Sequence, residues 1–171
     1  MKSLGIRTYG DKTLRKKGDE VGEFGSDLTP FLDRMNETMI VEKGVGLAAN
    51  QVGVARRIAV INPDPDNEKT LLRMVNPRIV AVSDELLTVE EGCLSVPGVR
   101  GDVARHAWVE VVYQDEKGRE HRLRAEGFLA RIVQHELDHL DGVLFVDRLS
   151  LAKRALIKTK LRSLKKGDGE N

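Results

Sequence analysis

Apolar residues recur at three- and four-residue spacing in three stretches of the chain, and this spacing predicts three helices. The first helix covers 29–43, because Thr29 followed by Pro30 is typical of an N-cap and a first helical residue. The second helix precedes Gly142, a plausible C-cap. The third covers 150–166, where lysines and arginines surround an apolar side.

Between the first and second helices, runs of apolar and β-branched residues predict a series of strands. These strands cover 57–61, 71–82 (interrupted at Asn76-Pro77), 86–89, 103–113 and 119–125. They follow one another too closely for many crossover connections, which favours antiparallel pairing. Residues 143–146 form either a short apolar strand or a core segment.

The composition is that of an ordinary globular protein. With 171 residues, 40% of them hydrophobic and 32% charged, the chain can bury a real core, and we treat 1–171 as one domain with a frayed tail over 167–171. The net charge of +1 gives no general attraction to nucleic acid. No apolar run is long enough to span a membrane, and the N-terminal residues lack a signal-peptide core. We therefore expect a cytoplasmic protein without membrane contact.

The segment His135-Glu136-Leu137-Asp138-His139 places two imidazoles on one face of the second helix. Two imidazoles at this separation can bind one divalent metal ion, and Glu136 can reach a water molecule in an open coordination position. An ordinary amphipathic helix can carry these residues by chance. The interpretation therefore depends on a third ligand elsewhere in the chain.

A catalytic metal ion commonly has three protein ligands. A third histidine in the metzincin pattern would fall at Phe145, which cannot bind metal. Asp147 is a second downstream candidate for the third ligand. The predicted helix does not continue to it, so nothing directs its carboxylate towards the two histidines. Cys93, the only cysteine, is the better candidate, because a thiolate with two imidazoles suits zinc or ferrous iron. The alternative for Cys93 is an inert buried thiol.

The stretch 44–51 combines glycines at alternate positions with two alanines and ends at Gln51. The glycines would let a ligand peptide approach the backbone closely, and the Gln51 amide could donate to a developing oxyanion. The stretch has no lysine or serine, so it is not a phosphate-binding loop. The alternative is a turn built from small residues.

Three separated stretches together resemble the signature motifs of the peptide deformylases, in that family's order and at similar spacing. They are 44–51, Glu91-Gly92-Cys93-Leu94-Ser95 and Gln134-His135-Glu136-Leu137-Asp138-His139. Residues 14–16 and 145–149 are similar too. The resemblance implies a metal-dependent hydrolase acting on a linear amide. Such an enzyme removes the N-formyl group from the N-terminal formyl-methionine of nascent polypeptides and releases formate.

The resemblance also implies individual roles. Three side chains would bind one divalent ion: Cys93, His135 and His139. Family members typically use Fe²⁺ and often accept Zn²⁺, Ni²⁺ or Co²⁺. Metal-bound water would attack the formyl carbon with Glu136 as general base and then acid, while Gln51 and the Leu94 N–H would stabilise the oxyanion.

The substrate is expected to bind beside these residues. Phe128 and Ile132 precede His135 on the same side of the helix and can form an apolar methionine pocket, to which Arg131 could add its stem while its head reaches outward. Arg100 resembles a position that contacts substrate in the family. The full predicted substrate-binding set is Val45, Gly46, Glu91, Arg100, Phe128, Arg131 and Ile132.

The expected fold is α+β, with antiparallel β-sheets wrapped around a central metal-binding helix, an N-terminal helix on one side and a C-terminal helix outside. We expect a monomer. Two rival functions are a zinc endopeptidase whose third ligand is not Cys93, and a non-catalytic ribosome- or RNA-binding module with a structural metal. The basic helix over 150–166 could dock near the ribosomal exit tunnel, as in some relatives, or be a plain solvated helix.

Overall fold

A computed structural model of the chain describes residues 3–167, and the described part contains seven strands and three α-helices. In chain order the elements are α1 (Leu28–Val41), β1 (Gly46–Ala48), β2 (Ile58–Ile61), β3 (Leu72–Val82), β4 (Leu86–Gly92), β5 (Arg100–His106), β6 (Trp108–Gln114), β7 (Glu120–Glu126), α2 (Gly127–Leu140) and α3 (Leu151–Gly167). The predicted helices therefore exist, with ends shifted by one or two residues.

The strands form two sheets in which every paired neighbour is antiparallel. The larger sheet has the order β1-β2-β3-β6-β7, and the smaller one consists of β4 and β5. The α+β class, the antiparallel pairing and the helices towards both ends of the chain are confirmed.

Helices α1 and α2 lie on opposite faces of the five-stranded sheet, because successive strand residues point to opposite faces. Val60 and Val75 pack in the cluster that includes the buried side of α1, whereas their neighbours Ile61 and Met74 pack with α2. Helix α2 also contacts β5, so it touches both sheets. Helix α2, which carries the His135 and His139 segment, is thus central to the packing.

The predicted strand over 103–113 is wrong. The chain bends at Ala107, so that β5 and β6 belong to different sheets. The Ala107 N–H donates to the Glu85 carbonyl (3.0 Å), and the Ala107 carbonyl accepts from the Gly127 N–H (3.0 Å). Apolar alternation continues through the bend, so the sequence pattern does not show it.

Helix α2 ends in a Schellman motif at Gly142, which confirms the predicted C-cap. Gly142 has φ +73°, and its N–H donates to the His139 carbonyl (3.0 Å), while the Val143 N–H donates to the Asp138 carbonyl (2.9 Å). These bonds satisfy carbonyls at the end of the turn that carries His139.

The predicted core segment over 143–146 is confirmed for Leu144, Phe145 and Val146, which are buried, but they lead into a short 3-10 helix and not a strand. Gly167 belongs to α3, and the rest of the predicted frayed tail lies outside the described residues. Within 3–167, no helix has both the length and the apolar character needed to cross a membrane.

Candidate metal centre and active site

Cys93, His135 and His139 converge on one point. The two histidines come from α2, and Cys93 lies in the turn after β4. The Nε2 atoms of His135 and His139 are 3.2 Å apart, and Cys93 Sγ lies 3.2 Å from His139 Nε2. The ligand atoms of all three residues lie within 4.8 Å of one another. Among the described residues, this is the cluster of such side chains that could hold a metal ion.

The chemistry of this cluster fits a tetrahedrally bound transition metal. Metal–nitrogen and metal–sulfur bonds of about 2.0–2.3 Å place neighbouring ligand atoms roughly 3.3–3.5 Å apart, close to the separations seen. Beside the cluster, Glu136 Oε2 is buried and has no hydrogen-bond partner among the described residues, as expected of a group that faces an exchangeable position. The rival ligand Asp147 is occupied elsewhere, because it pairs with Arg15 and accepts from the Leu144 N–H (2.9 Å).

A buried carboxylate orients the first histidine ligand. His135 Nδ1 lies 3.0 Å from Glu91 Oε2, which leaves Nε2 facing the metal position. Glu91 also accepts two hydrogen bonds from Arg105 (2.8 and 2.9 Å) and one from Arg131 (2.7 Å). Desolvation alone would raise the pKa of the Glu91 carboxyl, but the bonds from Arg105 and His135 outweigh it and lower that pKa well below its usual range. Both oxygens are occupied by protein donors, which argues against the predicted contact between Glu91 and substrate.

The ionic network continues away from the metal position. Arg105 is 3% exposed and donates through Nη1 to Asp138 (2.6 Å), and Asp138 accepts two further bonds from Arg148 (2.5 and 2.6 Å). Charges therefore alternate in sign from Arg148 through Asp138 and Arg105 to Glu91. The network joins β4, β5, α2 and the turn after it.

Sequence reasoning missed the part played by Arg105, Asp138 and Arg148. A signal for Arg105 was present, because it occupies the same face of the alternating segment as Val103. A charged residue at an apolar position must find a buried counter-charge. Asp138 stood within the histidine motif, but nothing local to it indicated which cation would reach it.

Arg131 does not reach outward as predicted. Its side chain is 9% exposed, and its guanidinium donates to Glu91, to the Val103 carbonyl (3.0 Å) and to the Leu87 carbonyl (2.6 Å). A buried guanidinium needs several acceptors, and the strands β4 and β5 supply them. Arg131 still lines the cleft.

A cleft of about 600 Å³ opens beside Cys93 and His135, and the predicted substrate-binding residues line it. Ile132 is buried within it and Phe128 is exposed at 57%. Arg100 is also exposed, and it pairs with Glu90 (2.8 Å). The cleft therefore combines an apolar wall with a long cationic side chain. The substrate-binding roles of these residues stay predictions.

Strand β1 forms one edge of the cleft and is the edge strand of its sheet. The Asn62 N–H donates to the Val45 carbonyl (2.8 Å), so the next residue, Gly46, directs its N–H and C=O away from β2. Gly46 can therefore pair with an added strand. The Val45 carbonyl is already used, so the backbone pairing predicted for Val45 lacks its acceptor.

Glu136 is packed directly against Gly46. A Cβ atom added at Gly46 would approach Glu136 Cδ to 2.8 Å, so only glycine leaves room for the carboxyl group. Burial raises the pKa of Glu136 to about 7. A carboxyl group with such a pKa can both accept and return a proton near neutral pH.

Gln51 lies in a short 3-10 helix (Ala49–Val52) directly after β1, and Leu94 lies in the turn after β4. Gln51 Nε2 lies 3.5 Å from Cys93 Sγ and 3.2 Å from Ser95 Oγ, while its Oε1 accepts from the Ala48 N–H (2.9 Å). The amide is thus held with its donor side towards the metal position. Within residues 3–167 the Leu94 N–H makes no hydrogen bond, so it can donate to a ligand.

Comparisons with known proteins agree with this geometry. The sequence model of the polypeptide deformylase family matches residues 3–155. The chain belongs to the polypeptide deformylase family. It is 45% identical over 169 residues to the peptide deformylase of Helicobacter hepaticus, covering 96% of this chain and 93% of that one.

Solved deformylase structures share the fold. The chain is similar to peptide deformylase 1B of Arabidopsis thaliana, with a TM-score of 0.93, 36% identity and coverage of 98% and 93% of the two chains. It is also similar to the Synechococcus elongatus deformylase in complex with actinonin, with a TM-score of 0.85, 40% identity and coverage of 97% and 88%. The chain is therefore an enzyme of the peptide deformylase type, with a cluster suited to metal at its site.

Replacing Arg105 by Met is expected to destabilise the protein by about 3–5 kcal/mol, because it leaves the buried Glu91 carboxylate with too few donors. Metal affinity should fall roughly 10–100-fold, because His135 loses its fixed orientation. Urea unfolding and competition with a chelator measure the two effects.

The matched control for this substitution is Arg122→Met. Arg122 also makes two bonds to one carboxylate, that of Glu110, but its side chain is 67% exposed. This substitution should lower the free energy of unfolding by less than about 1 kcal/mol and leave metal affinity unchanged. Equal effects of the two substitutions would show that the buried network does not support the metal ligands.

Proposed function

We propose that this enzyme removes the formyl group from the N-terminal formyl-methionine of nascent polypeptides and releases formate. The observation that carries the proposal is the position of the Cys93, His135 and His139 cluster. Cys93 and His135 of this cluster line a cleft together with Gly46, on a free strand edge that can bind an extended peptide, and with the buried Glu136.

A divalent ion held by Cys93, His135 and His139 would supply Lewis acidity, lowering the pKa of water and polarising a carbonyl oxygen. The rest of the chemistry belongs to the protein. Glu136 accepts a proton from the water molecule that attacks the formyl carbon. It then donates that proton to the methionine nitrogen as the C–N bond breaks, so that formate and a free amino terminus leave.

The negative charge that develops on the formyl oxygen is stabilised by two donors, the Gln51 side-chain amide and the Leu94 N–H. Gln51 Nε2 lies 3.5 Å from Cys93 Sγ, and Leu94 directly follows Cys93 and lines the same cleft, which supports this role. In comparable acyl-transfer sites, removing one such donor costs about 3–4 kcal/mol of transition-state stabilisation.

The substrate peptide extends along β1 and pairs with Gly46. Its methionine side chain packs against Ile132 and Phe128, and Arg100 binds a backbone carbonyl further along the peptide. A formyl group is small enough to reach the metal position beside Gly46, whereas an internal peptide bond carries a second residue on that side. This geometry favours deformylation over the rival endopeptidase activity.

The decisive experiment measures formate release from formyl-Met-Ala-Ser beside digestion of casein. Formate should appear without casein cleavage, and Glu136→Gln should lower kcat at least about 10²-fold, because it cannot accept a proton. Metal content should stay the same, since Glu136 is not a ligand. Casein cleavage, or full activity of the variant, would contradict the proposal.

The native metal is proposed to be Fe²⁺, since one thiolate and two imidazoles suit this ion as well as zinc. Enzyme purified without oxygen should contain iron, and admitting air should abolish its activity. Reloading with Ni²⁺ or Co²⁺ should restore activity that resists air. Activity that tracks zinc content and is indifferent to air would rule out iron.

The basic helix α3 is proposed to dock the enzyme on the ribosome in the cytoplasm, where nascent chains emerge, with the enzyme acting as a monomer. Ile157, Leu161 and Leu164 of α3 pack against the core, whereas Leu156 is 81% exposed among exposed cationic side chains. An exposed leucine in a cationic surface suits a partner that combines RNA and protein.

Reversing two charges on α3, with Lys158→Glu and Arg162→Glu together, should reduce co-sedimentation with ribosomes at least about tenfold, because phosphate contacts are lost. Activity on a free tripeptide should not change. The control Lys69→Glu with Lys117→Glu makes the same change in net charge at exposed positions elsewhere. Equal loss in both double variants, or none in either, would contradict docking through α3.

A further inference from the structure

The N-terminal segment 7–18, called the strap here, joins the two loops that carry the oxyanion donors. The Arg7 N–H donates to the Gln51 carbonyl (2.7 Å), and the Tyr9 N–H donates to the Ser95 carbonyl (2.8 Å). Gln51 is itself one of the donors, and Ser95 is the residue after Leu94. Two neighbouring backbone groups of one segment therefore hold the loops at a set distance.

The same strap reaches the third catalytic stretch, the end of α2. The Gly18 N–H donates to the Leu140 carbonyl (2.8 Å), directly after the ligand His139. The backbone of Arg15 packs against Gly142, where a Cβ atom would lie 2.6 Å from the Arg15 carbonyl oxygen. One continuous segment thus contacts all three stretches that supply the site.

Asn50 makes the connection from the opposite side. Its side chain is fully buried, and its Nδ2 donates to the Lys16 carbonyl (2.7 Å) and to the Thr13 carbonyl (3.3 Å). Asn50 immediately precedes Gln51, so these two bonds restrain the backbone from which the catalytic amide projects. Asn50 is not among the residues that line the cleft.

We propose that the strap is the element that sets the relative positions of the three catalytic stretches, and that Asn50 is a positioning residue acting through Gln51. The part concerning Gln51 and Leu94 rests on the deformylase function proposed above. The effect on Cys93 and His139 would appear as a change in metal affinity and is tested separately. Ser95 lies two residues after Cys93, and Leu140 directly follows His139.

The physical reason for such an element is the sensitivity of catalysis to small displacements. Donors and reacting groups that lie on separate loops drift independently, and a shift of about 1 Å can cost roughly 10² in rate. Backbone hydrogen bonds are short and directional, so a strap that bonds to each loop restricts this drift without occupying the cleft.

Two changes each remove a different connection between the strap and the site. Asn50→Leu removes both side-chain bonds to the strap and approximately preserves shape. Replacing Tyr9 by its α-hydroxy acid converts its N–H to an ester oxygen, which deletes the bond to Ser95 and leaves every side chain in place. If Asn50→Leu does not fold, the Tyr9 ester variant alone tests whether the strap positions the site.

Two controls match them. Thr38→Val deletes the bond from the Leu4 N–H to Thr38 Oγ1 (2.8 Å), which ties the same N-terminal region to α1 away from the site. An ester at Ile6 removes an N–H that has no hydrogen-bond partner within residues 3–167. Melting temperatures of all variants, loaded with zinc, show how much each loses in stability.

In zinc-loaded enzyme, both strap variants should lower kcat for formate release about tenfold or more, with KM changed less than about twofold because the cleft is intact. The zinc dissociation constant of the Tyr9 ester, from chelator competition, should rise about tenfold, because its lost bond to Ser95 lies two residues after Cys93. Asn50→Leu, which acts through Gln51, should change zinc affinity less. Both controls should keep wild-type values of kcat and zinc affinity even where melting temperature falls. In a Gln51→Ala background, Asn50→Leu should lower kcat by less than about threefold, since residues acting as a unit are not additive.

The proposal would be overturned if the strap variants folded and kept wild-type kcat and zinc affinity. It would also be overturned if the control variants lowered kcat and zinc affinity as strongly as the strap variants do. Full additivity of Asn50→Leu with Gln51→Ala would overturn the role of Asn50. If the wild-type enzyme released no formate, the proposed function would fail, whereas the zinc dissociation constants would still decide whether the strap positions the ligands.

Discussion

The structure depends most on one buried carboxylate, that of Glu91. A charge taken out of water is tolerated only where donors replace the lost solvation. Arg105, Arg131 and His135 provide these donors from three different elements. The requirement to satisfy Glu91 therefore holds β4, β5 and α2 in one arrangement, and this arrangement brings Cys93 to the histidines.

The two sheets have separate tasks in this arrangement. The five-stranded sheet packs α1 and α2 on opposite faces and leaves β1 as a free edge beside Glu136. The two-stranded sheet carries Glu91 at the end of β4 and delivers Cys93 in the turn that follows. The free strand edge and the turn that carries Cys93 thus belong to different sheets, and α2 contacts both.

Close packing also explains the chemistry of Glu136. Gly46 lets the edge strand lie against the carboxyl group, and the resulting burial raises the pKa of Glu136. The missing side chain at Gly46 therefore both leaves the backbone of β1 accessible and lets the Glu136 carboxyl group lie against it.

Local patterns in the sequence were enough to predict the helices, most of the strands and the three candidate metal ligands. Spacing of four residues on a helix places His135 and His139 together wherever that helix lies, and the cap at Gly142 follows from local backbone preference. The single cysteine, in a loop rich in small residues, left few choices for the third ligand. These features are local, and local interactions are readable from short windows of sequence.

The tertiary structure alone decided how the elements meet. The bend at Ala107 depends on hydrogen bonds to Glu85 and Gly127, which are distant in sequence. The inward turn of Arg131 and the pairing of Arg105 with Asp138 depend on which acceptors the neighbouring strands present. Periodicity reports which face of an element is buried. It carries no information on which partner the buried face meets, because that is set by packing across the whole chain.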